Sequence, residues 1–181
     1  QNPLDPVKNE AFVAQLAQFS QLEATTTMAE TLKTYVDSMS GERMMSSTNM
    51  IGKTVAVPGA PAVYVSGKAI QGLIPLPEGA SGVQLQVTNE KGQSVVKQIL
   101  GPQQAGDMPL YWDGSDDAGN EVPDGNYFIT ATAVVQGKTA NPTVSIFSTV
   151  TGVNQTADKT IMLEVAGGKS VKLTDVQRIG G

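Results

Sequence analysis

The stretch from Leu110 to Phe128 constrains the fold more than any other part of this chain. An apolar run holding the only Trp, Leu110-Tyr111-Trp112, stops at Asp113-Gly114. A polar loop follows from Ser115 to Val122. Pro123-Asp124-Gly125-Asn126 then gives way to a β-prone run from Tyr127 to Val135. Gly, Asn and Asp tolerate the positive φ that tight turns need, and Pro presets φ ahead of them. The pattern reads as strand, ordered loop, turn, strand, and it places an antiparallel β unit in the middle of the chain.

The flanking sequence continues in the same manner. From Ile51 onward, strands are expected at Lys53–Val57, Ala62–Val65, Lys68–Ile74, Val83–Thr88 and Ser94–Leu100. After the central unit come Val144–Val150, Ile161–Val165 and Ser170–Leu173, with a short terminal element over Thr174–Ile179. Turns fall at Ser66-Gly67, Asn89-Glu90-Lys91-Gly92 and Gly167-Gly168. Roughly nine or ten short strands at regular spacing are the pattern of a sandwich or barrel. Pro75 and Pro77 at one end and Asn141-Pro142 at the other bound residues 75–142, because Pro cannot donate to a β ladder. Residues 75–142 therefore read as a compact β unit inserted between the strands before and after it. Residues 51–74 and 143–181 are each too short to fold alone and are expected to pair with each other in a second small barrel.

Residues 1–50 differ in kind. Asn9 is a candidate N-cap, with Glu10 well placed for the helix dipole. Phe12, Leu16, Phe19 and Leu22 form one apolar stripe, and Met28, Leu32, Tyr35, Val36 and Met39 form a second. Such spacing predicts amphipathic helix. Thr25-Thr26-Thr27 lies between the stripes and weakens helix propensity, so an interruption is expected there. Ser38–Asn49 reads as a linker. An isolated helix of this kind is marginal in water, and its stripe needs a partner. Phe12, Leu16, Phe19, Leu22, Leu32 and Val36 are the candidate contact residues, with other subunits favoured as the partner.

Composition removes several function classes. With no Cys and no His there are no disulfides, no Cys or His metal ligands, and no imidazole base or thiol nucleophile. Aromatics make up 5% of the chain, so its cores must rely on Val, Ile, Leu and Ala. The net charge of −5 argues against nucleic acid as a partner. No apolar run approaches membrane-spanning length, so membrane insertion is not expected.

The acidic loop is the one stretch resembling a site. Asp113, Ser115, Asp117, Glu121 and Asp124 stand at positions 1, 3, 5, 9 and 12 of an EF-hand-like calcium loop. Ala118 replaces the required Gly, and Asp124 replaces the bidentate Glu. A solvated turn with Asx-type hydrogen bonds is the simpler expectation. Trp112 and Tyr127 are expected as core anchors rather than a ligand platform. Asp116 and Asp117, adjacent on one loop, cannot flank a glycosidic bond. Lys53-Thr54 lacks a glycine-rich phosphate loop. The residues thus point to a non-enzymatic protein with no cofactor and no metal. The alternative is a calcium-dependent β-sandwich adhesin or carbohydrate-binding module.

Four motifs, taken in order, resemble the bacterial flagellar hook-capping family. They are Asn2-Pro3-Leu4-Asp5 with Asn9-Glu10 and Gln15-Leu16-Ala17-Gln18-Phe19-Ser20; Asn49-Met50-Ile51-Gly52-Lys53; Tyr111-Trp112-Asp113-Gly114 with Gly119 and Pro123-Asp124-Gly125-Asn126-Tyr127; and Leu173-Thr174-Asp175-Val176-Gln177. The resemblance spans nearly the whole chain. It implies a mainly β fold, in which an immunoglobulin/fibronectin-III-like sandwich is inserted into a Tudor-like (SH3-like) barrel behind an N-terminal helical segment. It further implies export through the flagellar type III apparatus and a pentameric cap at the extracellular tip of the nascent hook. There the cap would promote incorporation of hook subunits, and it would be absent from the finished flagellum. Because the matching part begins at Gln1, an upstream portion is expected.

Overall fold

The structure, a computed structural model, describes residues 6–176 and 178–180, with side chains over 12–176. Asn2-Pro3-Leu4-Asp5 and Gln177 lie outside the described residues. The chain divides into two units, one ending at Arg43 and the other beginning at Met44.

The first unit is one helix, α1, whose full extent is Pro6–Thr48 and whose last turn belongs to the second unit. The break expected at Thr25-Thr26-Thr27 does not occur. The Oγ1 groups of Thr25 and Thr26 donate to the carbonyls of Gln21 and Leu22 at 2.8 and 2.9 Å. Thr31, Thr34 and Ser40 bond back to Thr27, Glu30 and Val36 in the same way. The hydroxyls thus find acceptors on carbonyls one turn back while the helix continues past them, so the propensity cost of these threonines is too small to break it. The linker expected over Ser38–Asn49 is also helical through Thr48. At the other end, the helix includes Asn9 and begins at Pro6, where a missing N–H costs nothing in the first turn.

The second unit is antiparallel β. Its strands are β1 (Thr54–Pro58), β2 (Ala62–Tyr64), β3 (Ile70–Leu76), β4 (Gly82–Asn89), β5 (Ser94–Leu100) and β6 (Gly106–Trp112). They continue as β7 (Gly125–Val135), β8 (Lys138–Ala140), β9 (Ser145–Gln155), β10 (Ile161–Val165), β11 (Lys169–Lys172) and β12 (Arg178–Gly180). A 3-10 turn over Leu173–Asp175 precedes β12. One sheet runs β2-β7-β4-β5, with β8 added to β7. The other runs β11-β10-β9-β1-β12, and β3 joins it through β9 while pairing along its length with β6.

Alternation places the side chains as expected. Val83, Leu85 and Val87 of β4, Met108, Leu110 and Trp112 of β6, and Tyr127, Ile129, Ala131 and Ala133 of β7 are all buried. The polar stretch after Val150 is an exception, because β9 continues to Gln155 by pairing with β10. Partners on successive stretches, β1 to its first half and β10 to its second, hold this long strand where periodicity alone stops. A single hydrophobic cluster includes Val55, Ile74, Trp112, Ile146 and Leu163, so strands from both ends of the chain share one core.

The boundary drawn at Pro75 runs through β3. Its first residues and all of β2 pair with strands from the middle of the chain: Ile70 with Trp112, Ala62 with Tyr127. β3 also meets β9 at Gly72↔Ile146 and Leu73↔Ser145. A Cβ on Gly72 would collide with the Ser145 carbonyl oxygen. Gly72 is therefore required by close approach of two backbones, not by a turn. Gly72→Ala is expected to destabilise the β unit by about 2–3 kcal/mol, because a backbone carbonyl cannot step aside as a side chain can. Chemical denaturation followed through the fluorescence of Trp112 checks this, and an unchanged midpoint would contradict the close approach.

Candidate functional site

The loop between β6 and β7 is built from hydrogen bonds that its own sequence supplies. Asp113 Oδ1 accepts from the Ser115 N–H at 3.0 Å, an Asx-type turn. Trp112 Nε1 donates to the Ser115 carbonyl at 2.9 Å. Asp116 Oδ1 accepts from the N–H groups of Ala118 and Asn120 at 2.9 and 2.8 Å, and its own N–H donates to the Asn120 carbonyl at 2.9 Å. These bonds, that from the Asn120 backbone foremost, hold the Asp116 carboxyl below the usual aspartate range. The Val122 N–H closes the loop on the Gly114 carbonyl at 2.9 Å.

The loop also grips the connection between β2 and β3. Glu121 Oε1 accepts from Ser66 Oγ at 2.6 Å, from the Tyr64 hydroxyl at 2.7 Å and from the Gly67 N–H at 3.3 Å. Asp124 Oδ1 accepts from the Ser66 N–H at 2.7 Å. Hydrogen bonds to an ionised acceptor are the strong ones. They lower the Glu121 pKa, the Ser66 hydroxyl most, and the same Glu121 bond raises that of Tyr64.

Above this clamp sit three aromatic rings. Tyr64 and Trp112 have centroids 5.5 Å apart, Trp112 and Tyr127 5.0 Å, and Tyr64 and Tyr127 6.3 Å, all tilted or edge-on as ring quadrupoles favour. Tyr127 donates its hydroxyl to the Pro123 carbonyl at 2.7 Å, the geometry of a tyrosine corner. The rings are buried, so Trp112 and Tyr127 are core anchors as the sequence suggests. Gly114 (φ +87°) passes directly against the Tyr64 ring, where a Cβ would overlap ring carbons.

Asp117 acts differently. Its N–H donates to the Val95 carbonyl at 3.2 Å, and its Oδ1 accepts from the Lys97 N–H at 3.1 Å. β5 ends its sheet, so Asp117 covers part of an otherwise open edge. A cleft of about 360 Å³ opens beside it, lined by both sheets through Val87, Val96 and Trp112 and by Asp116 and Asp117.

Four of the five residues matched to a calcium loop thus have their side chains committed elsewhere in the fold. Asp113 turns the backbone, Asp117 covers β5, and Glu121 and Asp124 hold the β2–β3 connection. Among the described residues no three acidic groups come together as a metal-holding set. The calcium-dependent adhesin alternative finds no support.

Sequence reading missed the role of Tyr64. That residue stands inside the short strand expected at Ala62–Val65, and nothing local shows that its ring reaches Gly114 and its hydroxyl reaches Glu121.

The helical candidates are exposed. Phe12, Leu16, Phe19 and Leu22 have 60, 50, 69 and 63% of their surface accessible, and Leu32 and Val36 have 57 and 55%. They do not share one side. At 3.6 residues per turn, Leu32 lies about 160° round the helix from Leu16.

Comparison with known proteins gives this geometry a family. The model of the FlgD Ig-like domain matches residues 61–137, and that of the flagellar hook capping protein N-terminal region matches residues 1–34. The basal-body rod modification protein FlgD of Salmonella typhimurium is 27% identical over 186 residues, covering 99% of this chain and 80% of its own. That of Buchnera aphidicola from Acyrthosiphon pisum is 28% identical over 153 residues, and this chain spans 63% of its length. The crystal structure of FlgD from P. aeruginosa superposes with a TM-score of 0.66 at 32% identity, covering 72% of this chain and 98% of that one. FlgD from Xanthomonas campestris shares the fold, with a TM-score of 0.66 over 76% of this chain and 99% of that one at 24% identity. The fold and loop are those of an antiparallel β protein with an Ig-like part and a long helix ahead of it. The chain belongs to the flagellar hook-capping family, FlgD.

Two outcomes test the clamp. Gly114→Ala combines a left-handed φ with overlap on a buried ring and is expected to cost about 3 kcal/mol or more by denaturant unfolding. The Glu121 and Asp116 pKa values are lowered on folding, so their contribution is complete above the ordinary carboxylate values of 4.5 and 3.8 and is lost as pH falls through the folded values. Melting temperature should therefore drop on acidification below about pH 4.5, and Glu121→Gln should flatten that limb while lowering stability at neutral pH. An acid limb identical in Glu121→Gln would remove Glu121 from this role.

Proposed function

We propose that this chain is the non-enzymatic cap of the growing flagellar hook. It is exported through the flagellar type III apparatus and sits as a homo-oligomer, a pentamer in the assembled cap, at the extracellular tip. There it holds incoming hook subunits while they join the hook, and it is absent from the finished flagellum. Membership of the hook-capping family over both the helical and the Ig-like parts carries this reading. The related Xanthomonas protein is described as capping the hook in a manner essential for flagellar assembly.

The division of labour follows from the residues. The β unit, in which β2 and β3 from before Pro75 join the strands of residues 75–142 while the strands of 143–181 pair with β1 and β3, supplies a body whose loop is locked by Glu121 and Asp116. The helical segment of residues 1–50 supplies the contacts, with Phe12, Leu16, Phe19, Leu22, Leu32 and Val36 meeting hook subunits or other copies. Large apolar side chains held in water on a helix are stabilised when a partner covers them, at about 25 cal/mol per Å² removed from water.

Expressed in a bacterium whose own hook-capping gene is deleted, the chain should restore hooks visible by electron microscopy. Leu16→Asp with Phe19→Asp should still be found in the culture medium but should give no hooks, with the β unit melting as before. Normal hooks from that variant would remove the helix from the mechanism, and no hooks from the unaltered chain would remove the capping reading.

A further inference from the structure

Three residues of each apolar stripe of α1 follow the same spacing, with Leu22 and Val36 standing outside it. Phe12, Leu16 and Phe19 are spaced by four and three residues. Met28, Leu32 and Tyr35 repeat that spacing at a constant offset of sixteen, and Met39 extends it by four. Because the helix is uninterrupted through Thr25–Thr27, this offset has a defined geometric meaning. Sixteen residues at 3.6 per turn place the second stripe about 160° round from the first. The helix therefore presents one stripe on one side of its first half and a congruent stripe on the nearly opposite side of its second half. Both are in water: Phe19 is 69% exposed and Met28 66%.

One straight partner helix cannot cover both sides. A two-fold pair through either stripe leaves the other exposed. The side that carries Phe12, Leu16 and Phe19 continues beyond them as Glu23, Glu30 and Asp37, seven residues apart and hence nearly in line. Setting this side against itself in a parallel pair opposes acid to acid, which is destabilising. The stripe of Met28, Leu32, Tyr35 and Met39 offers instead an apolar counterpart with matching knob spacing.

We infer that α1 is a two-sided connector, in which the Phe12/Leu16/Phe19 stripe of one copy of this chain packs on the Met28/Leu32/Tyr35 stripe of a second copy. Such a contact is heterologous. Each copy uses one stripe on one neighbour and the other stripe on the next, so it propagates to a closed ring or an open filament and not to an isolated dimer. This deepens the capping proposal, resting on its view of the helix as the assembly element, and names the surface by which copies meet.

The test uses the full chain and two variants that keep helix propensity, Leu16→Ala/Phe19→Ala and Leu32→Ala/Tyr35→Ala. Analytical ultracentrifugation should show concentration-dependent assembly of the unaltered chain beyond a dimer. Each variant alone lacks one half of the contact and should be monomeric. Mixed in equal amounts, they should form a heterodimer and stop there, since one intact pair of stripes remains. A variant that self-associates alone, a mixture that stays monomeric, or an unaltered chain that stays monomeric overturns the inference. Restored hooks alongside any of these results would leave the capping role standing and remove only this interface.

Discussion

The β unit depends on the contact between the Tyr64 ring and the backbone at Gly114. Tyr64 ends β2, Gly114 begins the loop after β6, and they are fifty residues apart in sequence. Their contact is possible only because Gly114 has no Cβ. It lets Tyr64, Trp112 and Tyr127 gather into one aromatic cluster and brings the Tyr64 hydroxyl to Glu121. The packing of the rings and the clamp on the β2–β3 connection are thus two consequences of one close approach. An acidic loop that in isolation resembles a ligand site becomes a structural lock, because its carboxylates find N–H and hydroxyl donors within the fold.

A second close approach, Gly72 against Ser145, has a comparable effect at larger scale. β3 pairs along its length with β6 and touches β9 as well, so the middle of the chain and its C-terminal strands belong to one packed body. The shared core explains why the flanking pieces, each too short to bury an interior of its own, are ordered. The helix follows the opposite principle. Its large apolar side chains lie in water, and its backbone ladder runs unbroken along 43 residues.

Much of the β architecture was legible locally. Alternation located most strands to within a residue or two, and the Gly, Asn and Pro punctuation located the turns between them. The helix was harder. β-Branched propensity at Thr25–Thr27 and the Ser/Met content of 38–48 both argue for interruption, yet the helix is continuous through both. Propensity is a small energy per residue, and a long helix outweighs it once nucleated. The end of β9 was hidden for a related reason, since a polar strand exists only because β10 lies beside it.

By itself the sequence determined the class of fold, the absence of thiol and imidazole chemistry, and the pair of congruent stripes on α1. These follow from residue type and periodicity, which act within a few residues. Only the tertiary structure decided that Glu121 answers Tyr64, that Asp117 covers β5, that β2 and β3 join strands from beyond Pro75, and that the stripes face opposite ways on one unbroken helix. Those outcomes depend on which distant backbones can approach and on whether a helix persists through weak residues. The first is settled by the summed packing of the β unit and the second by the continuous backbone ladder of the helix, neither of which is visible in a few residues.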